Sequence, residues 1–228
     1  MIKKLNWEYE NDYSFYLVDE IESTNTYLKE NFESYPDKTV LIAQRQTKGR
    51  GRYNRVWVSD NDAIFSLLLK KNGNYHITAP LALCMALLGF GYDVGIKWPN
   101  DIYLQGKKLA GILIEDSFQG DFSCAIIGIG LNMTDKAEFN AIGLNTKISK
   151  YEIIDSFTKK FTELNQMNFK DVIALYRKES IVIGKMVLYH NKLYKAEGVD
   201  GAGYLILENE EEYIHVSCDE IDIKESIR

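Results

Sequence analysis

Five short segments combine residue types that do chemistry. In Gln46-Thr47-Lys48-Gly49-Arg50-Gly51-Arg52-Tyr53-Asn54-Arg55-Val56-Trp57, glycines let the backbone turn its N–H groups toward an anion. The arginines add bidentate donors suited to carboxylate or phosphate, and the terminal Trp can stack on a flat ring. The same composition also fits a solvated basic loop or an RGG-like nucleic-acid patch. Lys97-Trp98-Pro99-Asn100-Asp101 sets a Lys and an Asp four residues apart, a pair able to hold phosphate and Mg2+, or else a surface Lys and a turn-capping Asp. Lys107 and Lys108 lead into the apolar run Leu109–Glu115, so one lysine reads as lying at a pocket mouth, or both as ordinary hairpin lysines. In Gly128-Ile129-Gly130-Leu131-Asn132, positions 128, 130 and 132 share one face of a strand. Two glycines bare that face to close approach, and Asn132 offers the donor and acceptor that an adenine edge needs; tight sheet-on-helix packing is the alternative. Ser23-Thr24-Asn25 could grip a small polar head group or simply cap a helix.

The elements that must position these segments follow from periodicity and turn signals. Strands are expected at Phe15–Val18, Val40–Ala43, Ala63–Lys70 and Gly95–Trp98, the last ended by Pro99. A helix runs from the Ser23 cap to about Glu33. Thr78 caps, and Pro80 opens, a helix that is apolar nearly all round and therefore central. Asn72-Gly73 is a turn. Ile102–Leu104 and Leu109–Glu115 flank Gln105-Gly106-Lys107 as a hairpin, and Gly120-Asp121 precedes a strand from Phe122 to Leu131. Two helices start at Ser149 and Asn168. Beyond Gly184 come four short strands, Met186–Tyr189, Lys192–Glu197, Tyr204–Glu208 and Glu211–Val216, which read as a small β-barrel after a boundary near Ile183.

Composition narrows the function. With 46% hydrophobic and 26% charged residues the chain is globular rather than disordered, and its length needs no disulfide or metal staple. Cys84, Cys124 and Cys218, with His76, His190 and His215, match neither a disulfide framework nor a zinc spacing. The net charge of −6 argues against a general nucleic-acid binder. It is uneven: Lys38–Ser59 holds six basic residues and no acidic one, an island better suited to a small anion than to a long polyanion. The longest apolar run, Ala79–Phe90, is twelve residues, too short to span a bilayer. Met1–Asn6 leads straight into acidic, aromatic sequence rather than a signal peptide, so a reduced, cytoplasmic protein is expected.

Together and in this order, the five segments resemble those of the biotin–protein ligases, enzymes that adenylate biotin and pass it to a lysine of a carboxylase carrier domain. The resemblance is carried by Ser23-Thr24-Asn25, Gln46 with Gly49-Arg50-Gly51-Arg52 and Trp57, Lys97 to Asp101, Lys108 to Leu113, and Gly128 to Asn132. It extends more weakly to the C-terminal strands. Two departures stand out: Tyr53-Asn54 replaces a second Arg-Gly, and Ser217-Cys218-Asp219-Glu220 stands where the family often has Ser-Gly-Glu. With 22 residues before Ser23, the ligase-only type without a DNA-binding module is expected.

The resemblance implies an α+β fold. A mixed-sheet catalytic domain of the biotin/lipoate ligase type with packed helices spans residues 1–183, and the small β-barrel spans residues 184–228. It implies ATP and Mg2+ as cofactors and biotin as substrate. Arg50, Arg52, Lys97 and Lys108 would neutralise charge as the biotin carboxylate meets the α-phosphate. Lys108 would lie between the two, Arg52 would hold the adenylate, and Lys97 would face the triphosphate, with Asp101 as the Mg2+ contact. Ser23, Thr24, Asn25 and Gln46 would line the biotin pocket, with Arg50, Gly51, Arg52 and Lys108 beside it and the Gly111 backbone on its far wall. Trp57 and Asn132 would hold adenine, and Arg50 and Arg52 would also touch the nucleotide. The expected partners are biotin, ATP and a biotin carboxyl carrier domain, with no DNA and no membrane; monomer and homodimer both stay open. Three rivals remain: a lipoate–protein ligase, a non-catalytic regulator that binds biotinyl adenylate, and a small RNA-binding protein. The Lys97–Asp101 segment favours biotin, intact Lys108, Arg50 and Arg52 favour catalysis, and the net charge disfavours RNA. The loop from Lys48 to Arg55 lacks core-facing periodicity and is expected to be mobile until an adenylate orders it.

Overall fold

The computed structural model describes residues 1–58, 61–71, 73–119 and 122–224. Among them the chain forms an eight-stranded sheet, a five-stranded sheet and four α-helices. In order these are β1 (Lys3–Lys4), β2 (Ser14–Ile21), α1 (Thr24–Asn31), β3 (Thr39–Gln46), β4 (Ala63–Leu69), α2 (Tyr75–Gly89), β5 (Val94–Lys97), β6 (Asp101–Leu104), β7 (Lys107–Gln119), β8 (Phe122–Leu131), α3 (Lys150–Gln166), α4 (Phe169–Glu179), β9 (Met186–Tyr189), β10 (Lys192–Val199), β11 (Leu205–Glu208), β12 (Tyr213–Val216) and β13 (Asp222–Ile223).

The large sheet runs β1-β2-β3-β4-β8-β7-β6-β5. It is mixed: β2 and β3 are parallel, joined through α1, and every other pair is antiparallel. Strand β4 is buried along its whole length because it is flanked by β3 and β8 and covered on both faces. Alternation sorts its side chains. Phe65 and Leu67 join the main core with Leu81, Phe157 and Tyr176 from α2, α3 and α4. Leu68 joins the smaller cluster with Leu28 of α1, Leu41 and Ile126. Helix α1 therefore shares its face of the sheet with whatever the Gly128 and Gly130 face admits.

The ends of the helices follow their sequence signals. Ser149 and Glu152 form a reciprocal capping box on α3, and Asn168 caps α4. Helix α2 differs from expectation. It starts at Tyr75 after Asn74, and Pro80 lies inside it. Ile77 and Thr78 already bond the Asn74 carbonyl, so only the bond that Pro80 cannot donate is missing, and burial of Ile77 and Ala79 favours the extra turn.

The C-terminal strands form an open sheet in the order β12-β11-β10-β9-β13. The expected barrel is not closed: β12 and β13 are the two edges and do not pair with each other, and β13 is a two-residue strand that pairs with β9. The turn between β6 and β7 uses Gln105 and Gly106, both at positive φ, so Lys107 is the first residue of β7 rather than part of the turn. Asn72 of the expected Asn72-Gly73 turn, the Gly120-Asp121 pair and residues 225–228 of the expected barrel lie outside the described residues.

Candidate active site

The thirteen residues that the resemblance assigns to the site all line one cavity of about 430 Å3: Ser23, Thr24, Asn25, Gln46, Arg50, Gly51, Arg52, Trp57, Lys97, Asp101, Lys108, Gly111 and Asn132. The cavity opens on the α1 face of the large sheet. It is walled by the start of α1, the basic loop, the β5–β6 turn, β7, β8 and, from the far end of the chain, Glu220, Ile221 and Asp222.

One end is a closed polar network. Ser23 accepts from the Thr26 N–H as the α1 cap, which leaves Thr24 and Asn25 buried in the first turn. The Thr24 N–H donates to Gln46 Oε1 at 2.7 Å. Ser66 Oγ lies 2.6 Å from both Thr24 Oγ1 and Asn25 Oδ1. Asn25 Nδ2 donates to Leu113 O at 3.2 Å and to Glu115 Oε2 at 3.0 Å. Arg50 Nη2 donates to the same carboxylate at 2.8 and 2.9 Å, and Lys29 Nζ lies 3.6 Å away. Burial alone raises the Glu115 pKa, but the hydrogen bonds from Asn25 and Arg50 and the two cations outweigh it and hold the carboxyl below its ordinary range.

The middle of the cavity is cationic over a glycine floor. Lys108 Nζ pairs with Asp101 Oδ1 at 2.7 Å. Lys97 Nζ contacts the Tyr103 hydroxyl at 3.5 Å. Gly111 and Gly130 face each other across β7 and β8, and the Trp57 ring lies on them: a Cβ at Gly130 would overlap the indole, and one at Gly111 would come within 3.2 Å of it. Lys108 Nζ sits 5.8 Å from the centre of that ring, inside cation–π range. The buried Trp57 Nε1 has no acceptor among the described residues. Gly128 admits Asn25 in the same way. The bare glycine face thus receives two of the protein's own site residues, one from helix α1 and one from the loop. At the other end the buried Asn132 donates through Nδ2 to Ile142 O at 3.2 Å. Nearby, Lys136 reaches the fully buried Asp62 at 3.2 Å.

The basic loop has an anchor that its own sequence does not announce. Arg52 Nη2 lies 3.2 Å from Cys218 Sγ, and Arg52 Nη1 donates to Asp219 O at 3.3 Å and to Asn100 Oδ1 at 3.2 Å. Arg55 grips both carboxylate oxygens of Glu220 at 2.5 and 2.7 Å. Tyr53, in the left-handed region at φ 54°, sends its hydroxyl to Asp219 Oδ1 at 3.5 Å. The two positions where the sequence departs from the biotin–protein ligase pattern therefore meet in space.

Three contributors were not singled out from sequence: Ser66, Glu115 and the Glu220–Asp222 segment. The first two left a signal. Ser66 is the one polar residue in Ala63–Leu69, and Glu115 is the first charge after the run that starts at Leu109. No local signal linked residues 220–222 to residues 52–55.

Among the described residues no cluster of three or more His, Cys, Asp or Glu side chains suited to a metal ion is present. Asp101 is a single carboxylate, which suits a Mg2+ ion that arrives on ATP with phosphate and water as its other ligands.

Residues 17–132 match the model of the Biotin/lipoate A/B protein ligase family. The bifunctional ligase/repressor BirA of Bacillus spizizenii is 31% identical over 205 residues, which is 77% of this chain and 63% of that protein. This chain thus spans a little under two thirds of that relative's length. The biotin–[acetyl-CoA-carboxylase] ligase of Paracoccus denitrificans is 27% identical over 73% of this chain and 82% of its own length. The solved biotin protein ligase from Aquifex aeolicus, in complex with biotin and ATP, superposes with a TM-score of 0.80 at 26% identity, covering 96% of this chain and 100% of that one.

Proposed function

The chain belongs to the Biotin/lipoate A/B protein ligase family, and from that premise we propose that it activates biotin with ATP and transfers it to a lysine of a biotin carboxyl carrier domain. The observation that carries this reading is the junction, in one cavity, of a buried network of hydroxyl and amide groups with a cluster of cations. A ureido-type head group needs the first, and a carboxylate meeting a phosphate needs the second.

In the first step a biotin carboxylate oxygen attacks the α-phosphorus of ATP. The bond to the bridging oxygen breaks, and pyrophosphate leaves. Lys108 and Arg52 offset the charge that builds on the phosphoryl oxygens, and Lys97 faces the leaving pyrophosphate; Asp101 would hold a Mg2+ ion, which would supply further charge neutralisation at the phosphates. Arg50 and Gly51 border the biotin carboxylate. Trp57 and Asn132 hold the adenine, Trp57 by its ring and Asn132 by its remaining amide capacity. In the second step a neutral carrier lysine attacks the acyl carbon, and AMP departs as leaving group.

Biotin is favoured over lipoate by the Lys97–Asp101 segment, the added C-terminal sheet and the activities named for the relatives. No described helix is long and apolar enough to cross a membrane, and we place the reaction in the cytoplasm. ATP–pyrophosphate exchange with biotin and with lipoate, followed by transfer of labelled biotin to a carrier domain, tests the reading. Exchange with biotin and transfer to the carrier are expected. Exchange with lipoate alone overturns the choice of substrate, exchange without transfer confines the activity to adenylation, and tight binding of biotinyl adenylate with no exchange leaves only a binder.

A further inference from the structure

Glu115 is absent from the reaction just described, yet it joins the two parts of the cavity. Residues 111, 113 and 115 of β7 share one face, so the carboxylate lies on the cavity side, immediately beyond Leu113. Its side chain is only 15% exposed, and it collects an amide and two cations.

Each contact fixes something different. Asn25 is an amide whose two ends are distinguishable only by their partners. The Ser66 hydroxyl donates to its Oδ1, and a carboxylate at the other end can accept only from Nδ2. Glu115, with the Leu113 carbonyl that accepts from the same nitrogen at 3.2 Å, therefore fixes which way the Asn25 amide faces. Arg50 meets Glu115 through Nη2 alone, while its Nη1 and Nε make no hydrogen bond to protein among the described residues. The guanidinium is thus anchored by one nitrogen and keeps donors for an anionic ligand.

We propose that Glu115 is a positioning residue for the acid substrate, setting the Asn25 amide and the Arg50 guanidinium as one unit before the substrate arrives. This rests on the ligase reading and deepens it by naming what pre-organises the head-group end. A carboxylate at that depth would otherwise cost stability; here it spares the substrate the work of ordering the first turn of the basic loop.

The test compares wild type with Glu115→Gln and Glu115→Asp by two readouts. The first is independent of activity: trypsin cleavage after Arg50 in the unliganded protein. Loss of the anchor in Glu115→Gln is expected to speed that cut about fivefold or more, with other early cuts unchanged. The second is pyrophosphate exchange. Glu115→Gln is expected to raise the KM for biotin about tenfold, the scale of one hydrogen bond to a charged group, with the KM for ATP and kcat within about twofold. Glu115→Asp, which keeps the charge, is expected to recover part of that loss; Gln and Asp variants with the same KM overturn the role of the charge. Unchanged cleavage in Glu115→Gln overturns the anchor, whatever the activity. Faster cleavage with an unchanged biotin KM overturns the positioning role. Equal rises in both KM values, with a fall in melting temperature, assign Glu115 to the fold alone. Wild-type protein that exchanges with neither biotin nor lipoate overturns the ligase reading and the positioning role with it, and the cleavage comparison still decides the anchor.

Discussion

Lys107 and Lys108 are neighbours that the strand sends to opposite faces. Lys108 lines the cavity and pairs with Asp101, whereas Lys107 is exposed and outside it. Lys108→Ala is expected to slow adenylate formation by about 100-fold or more, the scale of removing a charge-stabilising donor. Lys107→Ala is expected to be near neutral in the same exchange assay. Equal effects would show that the register of β7 does not decide access to the reacting oxygens. Glu115 carries a dependence on pH. Its native pKa is depressed, so its stabilising contacts are fully present above its unfolded value of about 4.3 and fade as pH falls through the lower native value. The gap in unfolding free energy between wild type and Glu115→Gln, measured in denaturant, should hold steady near neutrality and shrink below about pH 4.

Among the elements, the glycine floor and the basic loop are interdependent. Gly130 and Gly111 exist as a surface because Trp57 lies on them. Gly130→Ala should lift the indole and weaken adenylate binding by calorimetric titration about tenfold, while costing about 1–3 kcal/mol of stability; tight binding by that variant would mean the ring is not part of the site. The loop is held at its other end by the exposed Arg55–Glu220 ion pair, a kind worth only about 0–1 kcal/mol. Such a latch is easily released, so Glu220→Ala should speed amide exchange across residues 50–56 in the unliganded protein. Biotin with Mg-ATP should slow that exchange in both proteins, and exchange that ligands leave untouched would mean the loop does not close over the adenylate. The strands were legible in sequence because apolar runs and turn residues are local signals; β8 and the capped starts of α1, α3 and α4 are examples. The start of α2 was misread because Pro80 looks like a first-turn residue, while burial of the preceding turn outweighed that signal. A two-residue strand such as β13 has no period to detect. Glu115 went unassigned because its partners come from α1 and the loop, at separations of 90 and 65 residues.

Across the whole molecule, the proposed division near residue 183 is one of architecture more than of packing. A single apolar cluster holds Ile77, Leu81 and Tyr176 together with Val187, Leu205 and Leu207. Trp98 Nε1 donates to Gly203 O at 3.3 Å, and the Arg177 guanidinium donates to Val199 O. Scanning calorimetry of the whole chain should therefore give one cooperative transition with equal calorimetric and van't Hoff enthalpies. Two resolved transitions would assign each sheet its own stability.

The cavity closes with residues from both ends of the chain, Asn25 on one wall and Glu220 on another. On a ribosome adding about 5–20 residues per second, the interval between those two residues lasts about 10–40 s. Throughout it, the large sheet can assemble and present its glycine floor and apolar helices, while Arg52 and Arg55 have no partners from residues 218–220 to meet. A nascent chain therefore passes through a stage with a formed floor and an unfinished wall. Any ligand affinity that needs the closed cavity therefore waits until residues 220–222 have folded back against the loop.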